Sequence, residues 1–303
     1  MSVFSIDIGG TQIKSAVVEE GLTFKICQTI NTEKNDLEAL LNSIENLWKE
    51  NGKDCEGIAI CLPGIIDSEK GICINDGGTI NCLNNQPLAS LLSERIDVKV
   101  HLENDGKAAA IAELKNGALK DCKNGAVYII GTGIGGGIIV DGKVVRGYRN
   151  SAGEFSHMNI DYTKADDKDN AYGSMWKYCA VSALLNLFEK KSGIKVSDGK
   201  AFFEYYSSGN KEATEALKEY CRNIAVQLLN LGIMLNCEKI AIGGGISKQP
   251  VLTEEINRHM DDLGLARALK DEGLYTFMRP QIVPCAYGSE ANLIGAALSY
   301  WED

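Results

Sequence analysis

Apolar residues recur along this chain in two alternating rhythms, short strand-like runs and longer stretches with helical spacing, and that alternation predicts an α/β protein. SVFSIDIGGTQIKSAVVEEG reads as two β runs joined by a Gly-Gly turn. LEALLNSIENLWKENG carries apolar residues at helical spacing and ends at a glycine. GIAICLPGIID and VKVHLEND read as short buried strands, and DGKAAAIAELKNG as a short helix with Asp105 near its start. A second group of strands follows in GAVYIIGTG and GGGIIVDGKVVRG, where Asp141-Gly142 between two apolar runs is a two-residue hairpin signal. The segment 212–235 is the longest helical pattern, followed by the strand KIAIGGG, a helix near 249–268, the strand QIVPCAY and a closing helix SEANLIGAALSYW. Both halves open with a β–glycine turn–β unit, which makes an internal duplication plausible. The boundary falls near 105–120, predicting an N-terminal α/β domain of residues 1–117 plus 289–303 and a larger C-terminal one of 118–288.

Composition narrows the classes. The chain has 303 residues, 45% hydrophobic and 24% charged, with a net charge of −10. The acidic balance, with no Lys/Arg block, argues against nucleic acid as a partner. No apolar run reaches the ~20 residues that span a bilayer, so no membrane role is expected. MSVFSIDIGG lacks the features of a signal peptide, and a cytoplasmic location is the expectation. The ten cysteines are scattered singly without a C-x-x-C pair, reading as buried hydrophobes in a reducing compartment. Three glycine clusters lie at strand ends: DIGGT, GTGIGGG and IGGGIS. Turns of this kind present successive N–H groups to an anion. Gly131, Gly133 and Gly136 spell G-x-G-x-x-G, but the glycines run into a strand rather than a helix, so the dinucleotide reading fails. No G-x-x-x-x-G-K-[ST] loop is present either. SAGEFSHMNI sets Glu154 three residues before His157, a pair able to bind a metal, move a proton, hold a substrate or pack.

A β-hairpin turn carrying an acidic residue, used twice, is similar to the phosphate turns of the actin-like ATPase and sugar-kinase superfamily. Asp7 before Gly9-Gly10-Thr11 would hold Mg²⁺ through water while the turn holds phosphate. Over nearly all its length the chain resembles the ROK family of sugar kinases and repressors, on DIGGTQIK, LPGIID, LENDGKAAA, IIGTGIGGGIIVDGKVVRG, AGEFSHM, KIAIGGGIS and NLIGAAL, in family order and spacing. The resemblance implies an actin-like (ribonuclease H-like) fold of two α/β domains with ATP and a sugar in the cleft between them. It implies transfer of the γ-phosphoryl group to a sugar hydroxyl, with Asp105 as base. Sugar contacts would come from Asn104, Glu154 and His157, with Gly64, Gly78 and Thr79 on the other wall. Nucleotide contacts would come from Gly131, Thr132, Gly133 and Gly135 and from Gly243, Gly244 and Gly245. The alternative for Asp105 is a helix cap, and Glu103 reads as a structural neighbour.

The chain also departs from the family. Zinc-bearing members follow the histidine with C-x-C-G-x-x-G-C-x-E, whereas NIDYTKADDKDNAYGSMWKY has no cysteine, so no structural zinc is expected. Trp176 takes the place of a second sugar-binding glutamate, where it would either stack on a sugar ring or pack in place of the zinc. Zinc-less members with these features resemble β-glucoside kinases, which phosphorylate the 6-hydroxyl of a disaccharide such as cellobiose. Glucokinase and N-acetylmannosamine kinase stay open as alternatives. Gln12 stands where many relatives have lysine, with Lys14 nearby, as candidate phosphate contacts. A repressor would carry a DNA-binding domain ahead of Asp7, where six residues stand, and a non-kinase ATPase is disfavoured by Asn104-Asp105. The resemblance leaves the oligomeric state open, homodimers being common in the family.

Overall fold

A computed structural model describes residues 1–271 and 273–302, with side chains for 1–264 and 273–302. The described chain forms two compact units, Met1–Lys115 with Val144–Ala152 and Glu290–Asp303, and Asn116–Lys143 with Gly153–Ser289.

The first unit begins with β1 (Ser2–Ile8), β2 (Gln12–Glu19), β3 (Phe24–Asn31), α1 (Leu37–Asn51) and β4 (Gly57–Leu62). A small hairpin of β5 (Ile65–Asp67) and β6 (Ile72–Asn75) precedes α2 (Leu88–Ile96), β7 (Lys99–Asn104) and α3 (Asp105–Asn116). Its sheet runs β3-β2-β1-β4-β7, antiparallel in the hairpins and parallel from β1 through β4 to β7. Every residue of β4 is buried, as expected of a central parallel strand covered on both faces. On one face Phe4, Ile6 and Ile60 pack with Leu40, Leu41 and Ile44 of α1. The predicted end of α1 is observed: Asp36 caps it through the Ala39 amide at 3.0 Å, and the Gly52 N–H closes it on Trp48.

The second unit contains β8 (Gly125–Ile130), β9 (Ile134–Val140), β10 (Lys143–Val144), α4 (Met175–Cys179), α5 (Val181–Ser192), α6 (Gly199–Ser207) and α7 (Lys211–Leu235). It continues through β11 (Lys239–Gly243), α8 (Pro250–Asp271), α9 (Leu274–Met278) and β12 (Gln281–Pro284). The closing helix α10 (Ala291–Glu302) returns to the first unit, where Leu293, Ala296 and Ala297 pack with Val3, Ala59 and Cys61. The second sheet runs β10-β9-β8-β11-β12, again an antiparallel hairpin followed by parallel strands. The same construction is used twice, in keeping with the duplication suggested by the paired glycine turns.

Sequence pattern missed β3, α2, α5 and α6. β3 is an edge strand, largely exposed and paired to β2 with a bulge between Lys14 and Ala16, so no clean alternation marks it. The ten cysteines are free thiols, six of them buried.

Candidate active site

In the first unit the β1–β2 hairpin closes from Ile8 to Ile13, with the Gly9 amide donating to Gln12 carbonyl at 2.9 Å. Thr32 holds the turn from the end of β3, its hydroxyl donating to the Gly9 carbonyl at 2.7 Å and its amide to the Thr11 carbonyl at 3.0 Å. The amides of Gly10 and Thr11 have no acceptor among the described residues. A Cβ on Gly10 would meet the Thr79 methyl at 2.6 Å, so Thr79 packs directly on the turn, next to Gly78. Gln12 is exposed, and Lys14 pairs across the hairpin with Asp7.

Asp7 stands at the end of β1, its Oδ1 accepting from Asn292 Nδ2 at 3.3 Å and the Cys61 thiol at 3.5 Å. Burial, and then the charge of Asp105, push its pKa up to about 6 against the opposing effects of Asn292, Lys14 and Cys61. Two carboxylates therefore share one electrostatic neighbourhood at the ends of parallel strands.

Asp105 is the first residue of α3. The cap is Asn104, whose Oδ1 accepts the Lys107 amide at 3.0 Å. The Asn104 side-chain Nδ2 donates to the Gly64 carbonyl at 2.9 Å and to Asp105 Oδ1 at 3.2 Å. Asp105 Oδ1 also takes the Gly106 N–H at 2.7 Å, while Oδ2 receives no donor among the described hydrogen bonds. One oxygen is fixed and the other is available. Burial raises the Asp105 pKa, opposed by the Gly106 N–H and the Lys107 charge, which makes the carboxylate a better base than an exposed one. Gly64 cannot be replaced without strain: its φ is +98°, and a Cβ would lie 2.0 Å from the Asn75 carbonyl oxygen.

In the second unit the β8–β9 turn repeats this arrangement. The Gly131 amide donates to the Gly133 carbonyl at 2.9 Å, the Ile134 amide to Ser156 Oγ at 2.7 Å, and the Val181 amide to the Gly131 carbonyl at 3.1 Å. The amides of Thr132 and Gly133 have no acceptor among the described residues. Gly135 lies one residue into β9, with open space where a Cβ would stand. Gly243 ends β11, and Gly244, at φ +98°, passes so close to β8 that a Cβ would sit 2.0 Å from the Ile130 carbonyl oxygen. Gly131, Thr132 and Gly245 line a cavity of about 590 Å³ together with Val181, Phe203 and Ile246. Asp198, Lys200 and Gln249 add polar groups to it. Sequence reading found the glycine side of this cavity but missed the wall at 181–203. The available signal was the helix start S-D-G-K, where Asp198 caps α6 through the Ala201 amide at 2.9 Å.

Glu154 precedes and His157 ends a 3₁₀ turn, Phe155–His157, in which i and i+3 positions eclipse one another. Phe155 anchors it in the core, its ring 5.9 Å from that of Tyr128, and Ser156 ties it to the glycine turn. Glu154 is half-buried and His157 exposed. Trp176, in α4, is half-buried against the core with the Lys177 ammonium 5.7 Å over its ring. In the stretch where zinc-bearing relatives carry cysteines, backbone and carboxylate bonds close the loop. The Ile160 amide donates to the Gly173 carbonyl at 2.9 Å, and the Tyr178 hydroxyl to Asp161 Oδ2 at 2.8 Å. Among the described residues no group of three or more His, Cys, Asp or Glu side chains converges as a metal site.

Thus Asp7, Gly9, Gly10, Thr11, Gln12, Lys14, Gly64, Gly78, Thr79, Asn104 and Asp105 lie in the first unit, and the remaining predicted residues lie in the second. Two sheets of like order, each ended by a glycine hairpin with unclaimed amides, and a half-buried carboxylate pair define an actin-like phosphotransferase. The chain belongs to the ROK family, whose sequence profile matches residues 3–301. It is 30% identical over 306 residues to the β-glucoside kinase of Klebsiella pneumoniae, covering 99% of this chain and 96% of that one. It is 29% identical to the N-acetyl-D-glucosamine kinase of Vibrio atlanticus, covering 97% and 98% of the two chains. A ROK family protein from Streptococcus pneumoniae, solved in complex with sucrose, superposes with a TM-score of 0.86 at 28% identity, over 100% of this chain and 98% of that one. The protein is a sugar kinase. No described helix is long and apolar enough to cross a membrane.

Proposed function

We propose that this kinase transfers the γ-phosphoryl group of ATP to the 6-hydroxyl of a hexose or β-glucoside such as cellobiose. The observation that carries the reading is Asp105, pinned at Oδ1, open at Oδ2, and raised in pKa beside a phosphate-type hairpin. Oδ2 takes the hydroxyl proton as O6 bonds to the γ-phosphorus. The bond from that phosphorus to the β–γ bridging oxygen breaks, and ADP leaves. The cavity of the second unit suits an adenosine, having apolar walls and few polar groups. The unclaimed amides of Gly10, Thr11, Thr132 and Gly133 suit phosphate oxygens, with Gln12 and Lys14 at hand.

Asp7 fits a magnesium ion held through water, because a carboxylate disfavoured by burial and by Asp105 gains from a cation beside it. The ion would neutralise charge on the phosphates. Asn104, Glu154 and His157 supply hydrogen bonds to sugar hydroxyls, with Gly64, Gly78 and Thr79 as a wall. Trp176 offers an aromatic face to a second ring. The names of the two kinases set glucosides and N-acetylglucosamine in competition.

Coupled ADP release across glucose, cellobiose, gentiobiose, N-acetylglucosamine and N-acetylmannosamine discriminates them. Flat rates on every sugar defeat the reading. Asp105→Asn is expected to lower kcat by roughly 10²–10⁴-fold while calorimetry still detects sugar binding; near-normal turnover removes Asp105 as base.

A further inference from the structure

We propose that Glu103 and Arg146 act as a pair of positioning residues for Asp105, an inference that rests on the base assignment above. Glu103 is fully buried and lies two places before Asp105. Both its oxygens are engaged. Oε1 accepts the Asn104 amide at 2.9 Å and the Ser68 hydroxyl at 3.3 Å. Oε2 accepts from Arg146 Nη2 at 2.5 Å and from the Ser299 hydroxyl at 3.2 Å. His101 Nε2 lies 2.9 Å from the same Ser299 oxygen. Charge-assisted bonds from β7, the β5–β6 hairpin, α10 and the segment 144–152 thus meet on one carboxylate.

Stability alone is a poor reason for this arrangement. The Arg146 side chain is 38% exposed against 1% for Glu103, so solvent screens the pair and its direct contribution to stability is small. Here Arg146 Nε is in addition buried without an acceptor among the described residues. What the arrangement does hold is the corner where β7 becomes α3. Glu103 holds the Asn104 amide, and the Asn104 side chain bonds the Gly64 carbonyl, the Lys107 amide and Asp105 Oδ1. The orientation of Oδ2 therefore depends on Glu103, and Glu103 is held in turn by Arg146. Arg146 is itself placed by a closed loop, its carbonyl accepting the Ala152 amide at 3.1 Å. A displacement of about 1 Å at a reacting group costs on the order of 10²-fold in rate.

The test compares Arg146→Met, Arg146→Lys and the double variant Glu103→Gln/Arg146→Met, by steady-state kinetics and thermal melting on the sugar the wild type accepts. Arg146→Met is expected to lower kcat by at least about tenfold, with KM for ATP and sugar within about twofold of wild type, and to melt lower. Arg146→Lys restores part of kcat. The double variant, with no uncompensated buried charge, regains melting temperature but not kcat. Wild-type kcat in Arg146→Met, or kcat that follows melting temperature through the whole set, overturns the proposal. Should Arg146→Met fail to fold, the double variant decides alone, and recovery of both quantities there overturns it. Asp105→Asn, run alongside, keeps the two claims apart, since normal turnover in that variant removes the base assignment instead.

Discussion

Replacing Asp7 by Asn is expected to make the protein more stable and the enzyme nearly inactive. Asp7 ionises at about 6 in the fold against 3.8 ordinarily, mainly because burial disfavours its charge and secondarily because Asp105 does. The folded protein holds this proton more tightly than the unfolded chain. The resulting penalty is absent below the ordinary value, grows as pH rises from 3.8 to about 6, and is constant above. That interval, at roughly 1.4 kcal/mol per pH unit, corresponds to about 3 kcal/mol at neutral pH, an upper figure because Asp7 keeps some solvent contact. Asn carries no charge and offers its oxygen to Asn292 and Cys61 as Asp7 does. For a chain of this length about 3 kcal/mol raises the melting temperature by about 5 °C. The assay is thermal melting of both proteins in metal-free buffer from about pH 4 to about pH 8. The gain should be near zero at the acid end and reach its plateau above about pH 6, while coupled ADP release falls by at least about 10²-fold. A variant that melts at or below wild type near pH 8, or a gain that persists unchanged near pH 4, refutes the reasoning.

Because burial raises the Asp105 pKa, kcat should decline on acidification at a pH above the usual carboxylate value, read from a rate profile at saturating substrates. Gly244→Ala puts a Cβ 2.0 Å from the Ile130 carbonyl oxygen at φ +98°; a loss on the order of 3 kcal/mol and a raised KM for ATP are expected by denaturant titration and kinetics, and unchanged values remove Gly244 from the nucleotide side. Tyr178→Phe deletes the hydroxyl bonded to Asp161, whose 2.8 Å contact helps raise the Tyr178 pKa to about 12 after burial; faster proteolytic nicking at 159–174 with unchanged KM for ATP is the expected outcome, and wild-type digestion kinetics count against a staple there.

Glycine, periodicity and order made most of this molecule readable, for reasons that are local. A hairpin turn that must leave amides open to an anion announces itself as DIGGT or GTGIG, and a doubly covered strand as GIAICL. Contacts far apart in sequence are not announced in this way. Asn104 proved to be the helix cap beside Asp105 because Lys107 donates to it, while the carbonyl that holds its amide belongs to Gly64, forty positions earlier. Glu103 reads from sequence only as a structural neighbour because its partners Ser68, Arg146 and Ser299 come from three distant segments. The wall at 181–203 escaped because the S-D-G-K start of α6 reads by itself only as a helix cap; the return of β11 beside β8 brings Gly245 and Ile246 into one cavity with Val181 and Phe203. Local chemistry thus identifies the groups that act, and distant contacts, such as that of Gly64 on Asn104, hold the neighbours that decide which oxygen is left to act with. At Asp105 the sequence supplies a carboxylate, and the Asn104 amide and the Gly106 N–H, both donating to Oδ1, leave Oδ2 to take the proton.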